Sequence, residues 1–140
     1  MPSAPVTPVR SRPPDSEKIT INLGFVDLGQ IDLLVQEGFY SNRSDLIRTA
    51  VRRLLSNHEE VVQQVVARKT LVLGIQHYTQ ADLQAIQQAG ERLQIRVLGL
   101  ASFADDVSPE LALATIDSIT VLGALHASPA VKRALAGRTR

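Results

Sequence analysis

One short segment near the start of the chain constrains the fold more than any other, because it predicts an isolated β-strand. Residues 18–23 read Lys-Ile-Thr-Ile-Asn-Leu, a strict alternation of polar and apolar side chains. Ile19, Ile21 and Leu23 then share one face of the strand, and the polar residues share the other. Residues 24–57 show helical periodicity and predict no second strand. A lone strand leaves its backbone amides and carbonyls unpaired, so this segment needs a partner.

Two helices are predicted after this strand. The first is expected to have Asp27 as its N-cap and to end before Gly38, since glycine is typical of the position just after a helix. The second opens within residues 41–45, where Asn42 is expected to cap the helix and Asp45 to occupy the capping-box position. About 40 residues bury too little surface to fold alone. The simplest completion is a twofold dimer whose strands pair antiparallel.

Such a dimer presents a two-stranded ribbon, which fits the major groove of double-stranded DNA. Its outward side chains are Lys18, which can donate to guanine, Thr20, which can contact thymine, and Asn22, which can pair with adenine. The second helix adds free amides and side-chain donors at Arg43 and Ser44, and such a helix end suits a phosphate. We therefore expect the strands to read bases while the helix ends hold the DNA backbone.

Residues 18–55 resemble the ribbon–helix–helix family of bacterial DNA-binding repressors, the CopG, Arc and MetJ group. The resemblance rests on the alternating strand, on Gly38 between the helices, on the Asn-Arg-Ser-Asp opening of the second helix and on residues 44–51. It covers roughly 40 of the 140 residues and leaves residues 70–140 unassigned. One departure is that residues 24–26, Gly-Phe-Val, replace the more usual Pro-containing turn.

This resemblance implies an obligate homodimer, joined through the strand of residues 18–23. It also implies two sets of DNA contacts. The base contacts are expected from Lys18, Thr20 and Asn22, and the phosphate contacts from Asn42, Arg43 and Ser44.

A repeat marks the second half of the chain. A Val-Leu-Gly sequence ends each of three segments, and the glycines lie 25 and then 24 residues apart. The segments are residues 71–74, 96–99 and 120–123. Helix N-caps follow each segment, and prolines stand behind the last two caps. This pattern predicts three strand–turn–helix units in a small solenoid-like stack, unless the recurrence is due to chance. The caps are Thr79, Ser108 and Ser128.

The repeat also predicts which side chains face the interior. We interpret the repeated glycines as strand ends. Alternating Ile and Val side chains are expected to fill a dry core, with three leucines nearby. These residues are Ile95, Val97, Ile119 and Val121, with Leu73, Leu98 and Leu122.

The predicted fold class is α+β, with a ribbon–helix–helix module followed by a small α/β strand–helix repeat domain. We expect a flexible Pro-rich arm at 1–16, the DNA-binding module at 17–57, a helical extension or linker at 58–69, and the repeat domain at 70–140. The repeat domain is expected to join dimers into higher oligomers. The alternative is a small closed domain that binds a ligand or a partner protein.

Composition argues against other kinds of site. Lys and Arg total 15 and Asp and Glu 14, so the net charge of +1 excludes a highly charged nucleic-acid condenser. Cysteine is absent, which removes disulfides, thiolate catalysis and cysteine-based metal sites. The three histidines lie far apart, and Asp105-Asp106 is expected to be a solvated turn. No phosphate loop, nucleophile elbow or dinucleotide fingerprint occurs, so neither enzymatic activity nor a cofactor or metal is expected.

Localisation and function follow from these expectations. No apolar run approaches the roughly 18 residues of a membrane-spanning helix, and no signal-peptide pattern begins the chain. We expect a cytoplasmic, nucleoid-associated protein that represses transcription, including that of its own gene. Two alternatives remain open. One is the antitoxin of a toxin–antitoxin pair, which is less favoured because antitoxin tails in this family are usually short and flexible; the other is a filament-forming or plasmid-partition protein.

Overall fold

The structure is a computed structural model that describes residues 16–140, so the predicted arm lies outside the described residues except for Ser16. Helix α1 spans Phe25–Gln36, α2 spans Arg43–Asn57 and α3 spans Glu59–Arg68.

Of the three boundaries predicted for the first two helices, the end of α1 and the start of α2 are correct. Gly38 has a φ of +85° just beyond α1, as expected of a residue in the left-handed region. The predicted N-cap of α1 is wrong, because Gly24 occupies that position and Asp27 lies in the first turn. A carboxylate there still faces the positive end of the helix dipole. The Asn42 side chain caps α2 as predicted and accepts a hydrogen bond from the Asp45 amide.

The second half of the chain alternates strand and helix. Its elements are β1 (Val72–Tyr78), α4 (Gln80–Gln88), β2 (Leu93–Phe103), α5 (Pro109–Thr115), β3 (Ile116–His126) and α6 (Pro129–Leu135), followed by a 3₁₀ turn at Ala136–Arg138. The strands form a parallel sheet in chain order. The predicted caps are correct, since the Thr79, Ser108 and Ser128 side chains each accept a hydrogen bond from the amide three residues on.

The hydrophobic core lies between the sheet and the helices α4, α5 and α6. Ile95 and Val97 of β2 and Ile119 of β3 are buried there, as predicted. Each helix contributes apolar side chains to the same cluster, among them Leu83, Ala112 and Val131.

The position predicted for the three leucines near this core is wrong, because none of them belongs to the core cluster or packs against it. Leu73 is 67% exposed and Leu122 is 52% exposed. Leu73 pairs with Leu98, and Leu98 pairs with Leu122. Successive strand residues point to opposite faces, so a leucine that follows a core valine faces away from the helices. Within the described residues, helices therefore cover one face of the sheet and no helix covers the other, where Ser16 and Glu17 line a pocket with Leu73 and Leu98.

The repeated glycines lie inside the strands, so their interpretation as strand ends is wrong. Gly74, Gly99 and Gly123 are direct partners in the parallel sheet, with φ values of +130°, +139° and +121°. A Cβ atom on Gly99 would lie 2.1 Å from the Gly74 carbonyl oxygen, and one on Gly123 would lie 2.0 Å from the Gly99 oxygen. Glycine is required at both positions because no side chain fits between these backbones.

We predict that Gly99→Ala destabilises the chain by more than about 2 kcal/mol, because it combines backbone strain with a clash against a neighbouring strand. Gly137→Ala is the matched control, since no atom lies within 4 Å of its added Cβ. Urea unfolding followed by circular dichroism measures both variants. Equal stability of the two variants would contradict the close approach of the strands.

Candidate nucleic-acid interface

The predicted strand of residues 18–23 belongs to no helix or strand within the described part of the chain. Its apolar side chains are open to solvent, with Ile19 80% exposed and Ile21 59% exposed. The polar residues Lys18, Thr20 and Asn22 are exposed as well. A ladder needs a second strand, and residues 16–140 of one chain do not supply one to this segment. The segment thus has an apolar set and a polar set of side chains, and the other described residues bury neither set.

The helices beside this segment are uncovered too. Among residues 16–70, none is buried. Apolar side chains of α1 and α2 lie open, including Phe25 at 94% exposure, and Leu54 and Leu55 near 60%. Monomeric proteins rarely expose a continuous apolar surface of this kind. The N-terminal module therefore carries apolar side chains like those of a folded domain, but none of its described residues is buried.

The start of α2 offers hydrogen-bond donors. Asn42 Oδ1 accepts from the Asp45 amide at 2.8 Å, and the Asp45 carboxylate accepts from the Ser41 amide at 3.0 Å. Within the described residues, the amides of Arg43 and Ser44 have no such acceptor. These two amides point out of the positive end of a 15-residue helix, where an anion is stabilised.

An ion pair at this helix start was missed by the sequence analysis. Arg43 Nε and Nη2 donate to the two carboxylate oxygens of Asp32, at 2.7 and 2.8 Å. Both side chains are about half exposed, and the pair joins α1 to α2. Hydrogen bonding to the guanidinium lowers the pKa of Asp32 below its usual range. Asp32 lies 11 residues from Arg43, and no local spacing rule connects residues on two different helices.

The structure brings the predicted phosphate contacts together but does not join them to the predicted base contacts. Asn42, Arg43 and Ser44 are consecutive at the start of α2. Over the described range, no hydrogen bond or ion pair links them to Lys18, Thr20 or Asn22. The predicted phosphate contacts thus lie at the start of α2, and the predicted base contacts lie in a segment that the structure assigns to no helix or strand.

Residues 14–132 match the model of the ribbon–helix–helix transcriptional regulator family. The chain belongs to this family. The match runs well beyond residues 18–55, so the second half, which the sequence analysis left unassigned, is part of it. No curated protein and no solved structure gives a significant match to the chain. Family membership identifies a DNA-binding regulator of a kind that usually forms dimers.

Residues 16–140 contain no group of three or more His, Asp or Glu side chains that could hold a metal ion. They also contain no helix both long enough and apolar enough to cross a membrane. His77 Nδ1 lies 3.1 Å from Ser102 Oγ, and this contact is a side-chain pair within the sheet.

The ion pair at the start of α2 predicts how Asp32 titrates. Arg43→Ala should raise the pKa of Asp32 towards its ordinary value, because the hydrogen bonds to the carboxylate are lost. In the wild-type chain the pair stabilises the fold above about pH 3.9, and this contribution is lost as the pH falls through the lowered pKa. NMR titration of the Asp32 carboxyl carbon measures the shift.

Arg48→Ala serves as the control, since it removes an exposed arginine of α2 that makes no ion pair within the described residues. It should leave the Asp32 titration as in the wild type. Identical titration curves in the wild type and the Arg43→Ala variant would contradict the ion pair.

Proposed function

We propose that this chain is a sequence-specific regulator that binds double-stranded DNA as a homodimer and represses transcription, including that of its own gene. The observation that carries the proposal is the N-terminal module, in which no residue between 16 and 70 is buried. Twofold pairing of two identical segments at 18–23 would satisfy backbone groups in both chains. It would also turn Ile19 and Ile21 towards the apolar surfaces of the helices.

Base readout is proposed for the opposite face of this ribbon. Lys18, Thr20 and Asn22 alternate with the apolar residues, so pairing that buries the latter leaves all three outward. A twofold ribbon presents each side chain twice, which suits a palindromic site in the major groove. Lysine donates to guanine, and asparagine bonds both polar groups of the adenine edge.

Phosphate binding is proposed for the start of α2. The amides of Arg43 and Ser44 would donate to one phosphate, together with the Ser44 hydroxyl and the Asn42 amide group. Asp32 occupies Nε and Nη2 of Arg43 and leaves Nη1 for the phosphate. These contacts fix the position of the ribbon in the groove and carry no sequence information themselves.

We predict that Asn22→Ala weakens binding to the preferred site by about 1–3 kcal/mol and relaxes the preference at one base pair of each half-site. The loss arises because the adenine edge loses both of its hydrogen bonds. Asn57→Ala is the matched control at the last residue of α2. Binding to duplexes selected from a random library, and to their single-base variants, measures the effect. An unchanged base preference would exclude Asn22 from the groove.

We predict that Arg43→Ala weakens binding to all DNA duplexes alike. Each lost phosphate contact should reduce the slope of log K against log salt by about 0.9. Titrations across a range of salt concentrations measure this slope, and Arg53→Ala provides a matched control on α2, away from its start. A reduced affinity for the preferred site alone would assign Arg43 to a base instead.

Residues 70–140 are proposed to link dimers into larger assemblies, as a solenoid-like stack of strand–helix units. The sheet face that no described helix covers supports this, because it carries exposed leucines while the other face is filled. Linked dimers bind neighbouring DNA sites with added avidity. The buried core of this domain favours a regulator over an antitoxin with a short flexible tail. A filament-forming partition protein is the second candidate, and the same assembly would support it.

A further inference from the structure

The two outer edges of the sheet differ from each other. Strand β1 pairs only with β2, so its other edge has no neighbour within the described residues. The outer edge of β3 is met at one point by the end of the chain. There Thr139 forms a parallel bridge with Ile119, and the Arg140 amide donates to the Ile119 carbonyl at 2.8 Å. This end segment does not pair with the residues of β3 that follow Ile119.

The internal pairing of the sheet shows how another strand would fit beside β3. Each strand pairs with the next by one repeated register, in which Val72 lies beside Val97 and Val97 beside Val121. The same step places a further β1 strand with its Val72 beside Val121 and its His77 beside His126. The bridge at Ile119 lies two residues before this stretch. Among the described residues, no strand pairs with the outer edge of residues 121–126, the part of β3 that such a strand would occupy.

We propose that the strand–helix domains of two copies stack head to tail, with β1 of one copy pairing in parallel with residues 121–126 of the other. This inference rests on the proposed assembly of dimers and identifies the two strand edges through which the dimers would join. The partner is a second copy because the new contact repeats the one that joins β1 to β2 and β2 to β3 within the chain. The sheet and the row of glycines would continue from copy to copy.

Apart from His77, the exposed side chains of β1 and of residues 121–126 of β3 are apolar. On β1, Val72 is 46% exposed and Ile75 is 65% exposed, and β3 offers Leu122 at 52%. Strand β1 contains no Lys, Arg, Asp, Glu or Pro, the residues that usually protect an edge from pairing. An unprotected edge of this composition is suited to strand addition.

Charges on the helix layer are complementary across the same contact. Since α5 packs against both α4 and α6, stacking would place α6 of one copy beside α4 of the next. Helix α6 carries exposed Lys132 and Arg133, and the first turn of α4 carries exposed Asp82. Opposite charges would thus meet at the rim of the apolar strand contact, which favours this orientation over its reverse.

Head-to-tail contacts join two different surfaces, so they do not close within a pair of copies. The test uses two full-length variants that each damage one surface. Leu73→Lys alters β1, where the side chain is 67% exposed, and Leu122→Lys alters β3. We expect the wild type to exceed the mass of a dimer, and each variant alone to remain a dimer. An equimolar mixture should regain the larger mass, because each variant retains the surface that the other lacks.

Light scattering measures these masses, and Leu113→Lys, at an exposed site on α5, is the control that should assemble like the wild type. A wild type that stays dimeric would overturn the proposal. So would a Leu122→Lys variant that still assembles, or a mixture that remains dimeric. DNA binding by the same variants is measured separately, so loss of DNA binding with intact assembly would reject the proposed function alone.

Disulfide capture tests the same contact with smaller substitutions. The chain contains no cysteine, and the register places Leu73 of one copy beside Leu122 of the other. Paired strand positions lie within disulfide range. Upon oxidation, the Leu73→Cys/Leu122→Cys double variant should give a ladder of covalent multimers on a non-reducing gel. The single variants should remain uncross-linked, and a cross-linked single variant or an unlinked double variant would refute head-to-tail stacking.

Discussion

The backbone of residues 18–23 has no partner within residues 16–140, and the first half of the molecule depends on this constraint. An extended segment has no internal partner for its amides and carbonyls, whereas each helix beside it satisfies most of its own. The contrast with the second half is direct, because Ile95, Val97 and Ile119 are buried within one chain while no residue between 16 and 70 is. Among the described residues, the hydrophobic core thus lies in the second half of the chain, and residues 16–70 contribute none of it.

Local chemistry was the part of this fold that could be predicted. The caps Asn42, Thr79, Ser108 and Ser128 act as expected, because capping depends on residues within one turn of each other. The alternation in β2 is also a local pattern, because successive strand residues point to opposite faces, and it identified Ile95 and Val97 as core residues. Asp27 was misplaced because it is also favourable inside the first turn, so composition alone does not distinguish the two positions.

Features that depend on two elements could not be predicted. The Asp32–Arg43 pair exists because the turn between α1 and α2 brings their side chains together. The close approach at Gly99 depends on the register between strands, which the repeat suggested but did not specify. An isolated glycine in a strand pattern is typical of both a strand end and a close backbone approach. The three-dimensional pairing decides between these interpretations.

The two proposed contacts differ in symmetry, and this difference determines what kind of assembly they can build together. Pairing of identical strands at 18–23 is twofold and ends at two chains. Stacking of β1 on β3 joins unlike surfaces and leaves one of each free in every copy. A dimer therefore carries two stacking domains, and contacts between dimers extend an array or close a ring. In either form, each added dimer brings another DNA-reading ribbon to a tethered position, which raises its effective concentration near adjacent sites.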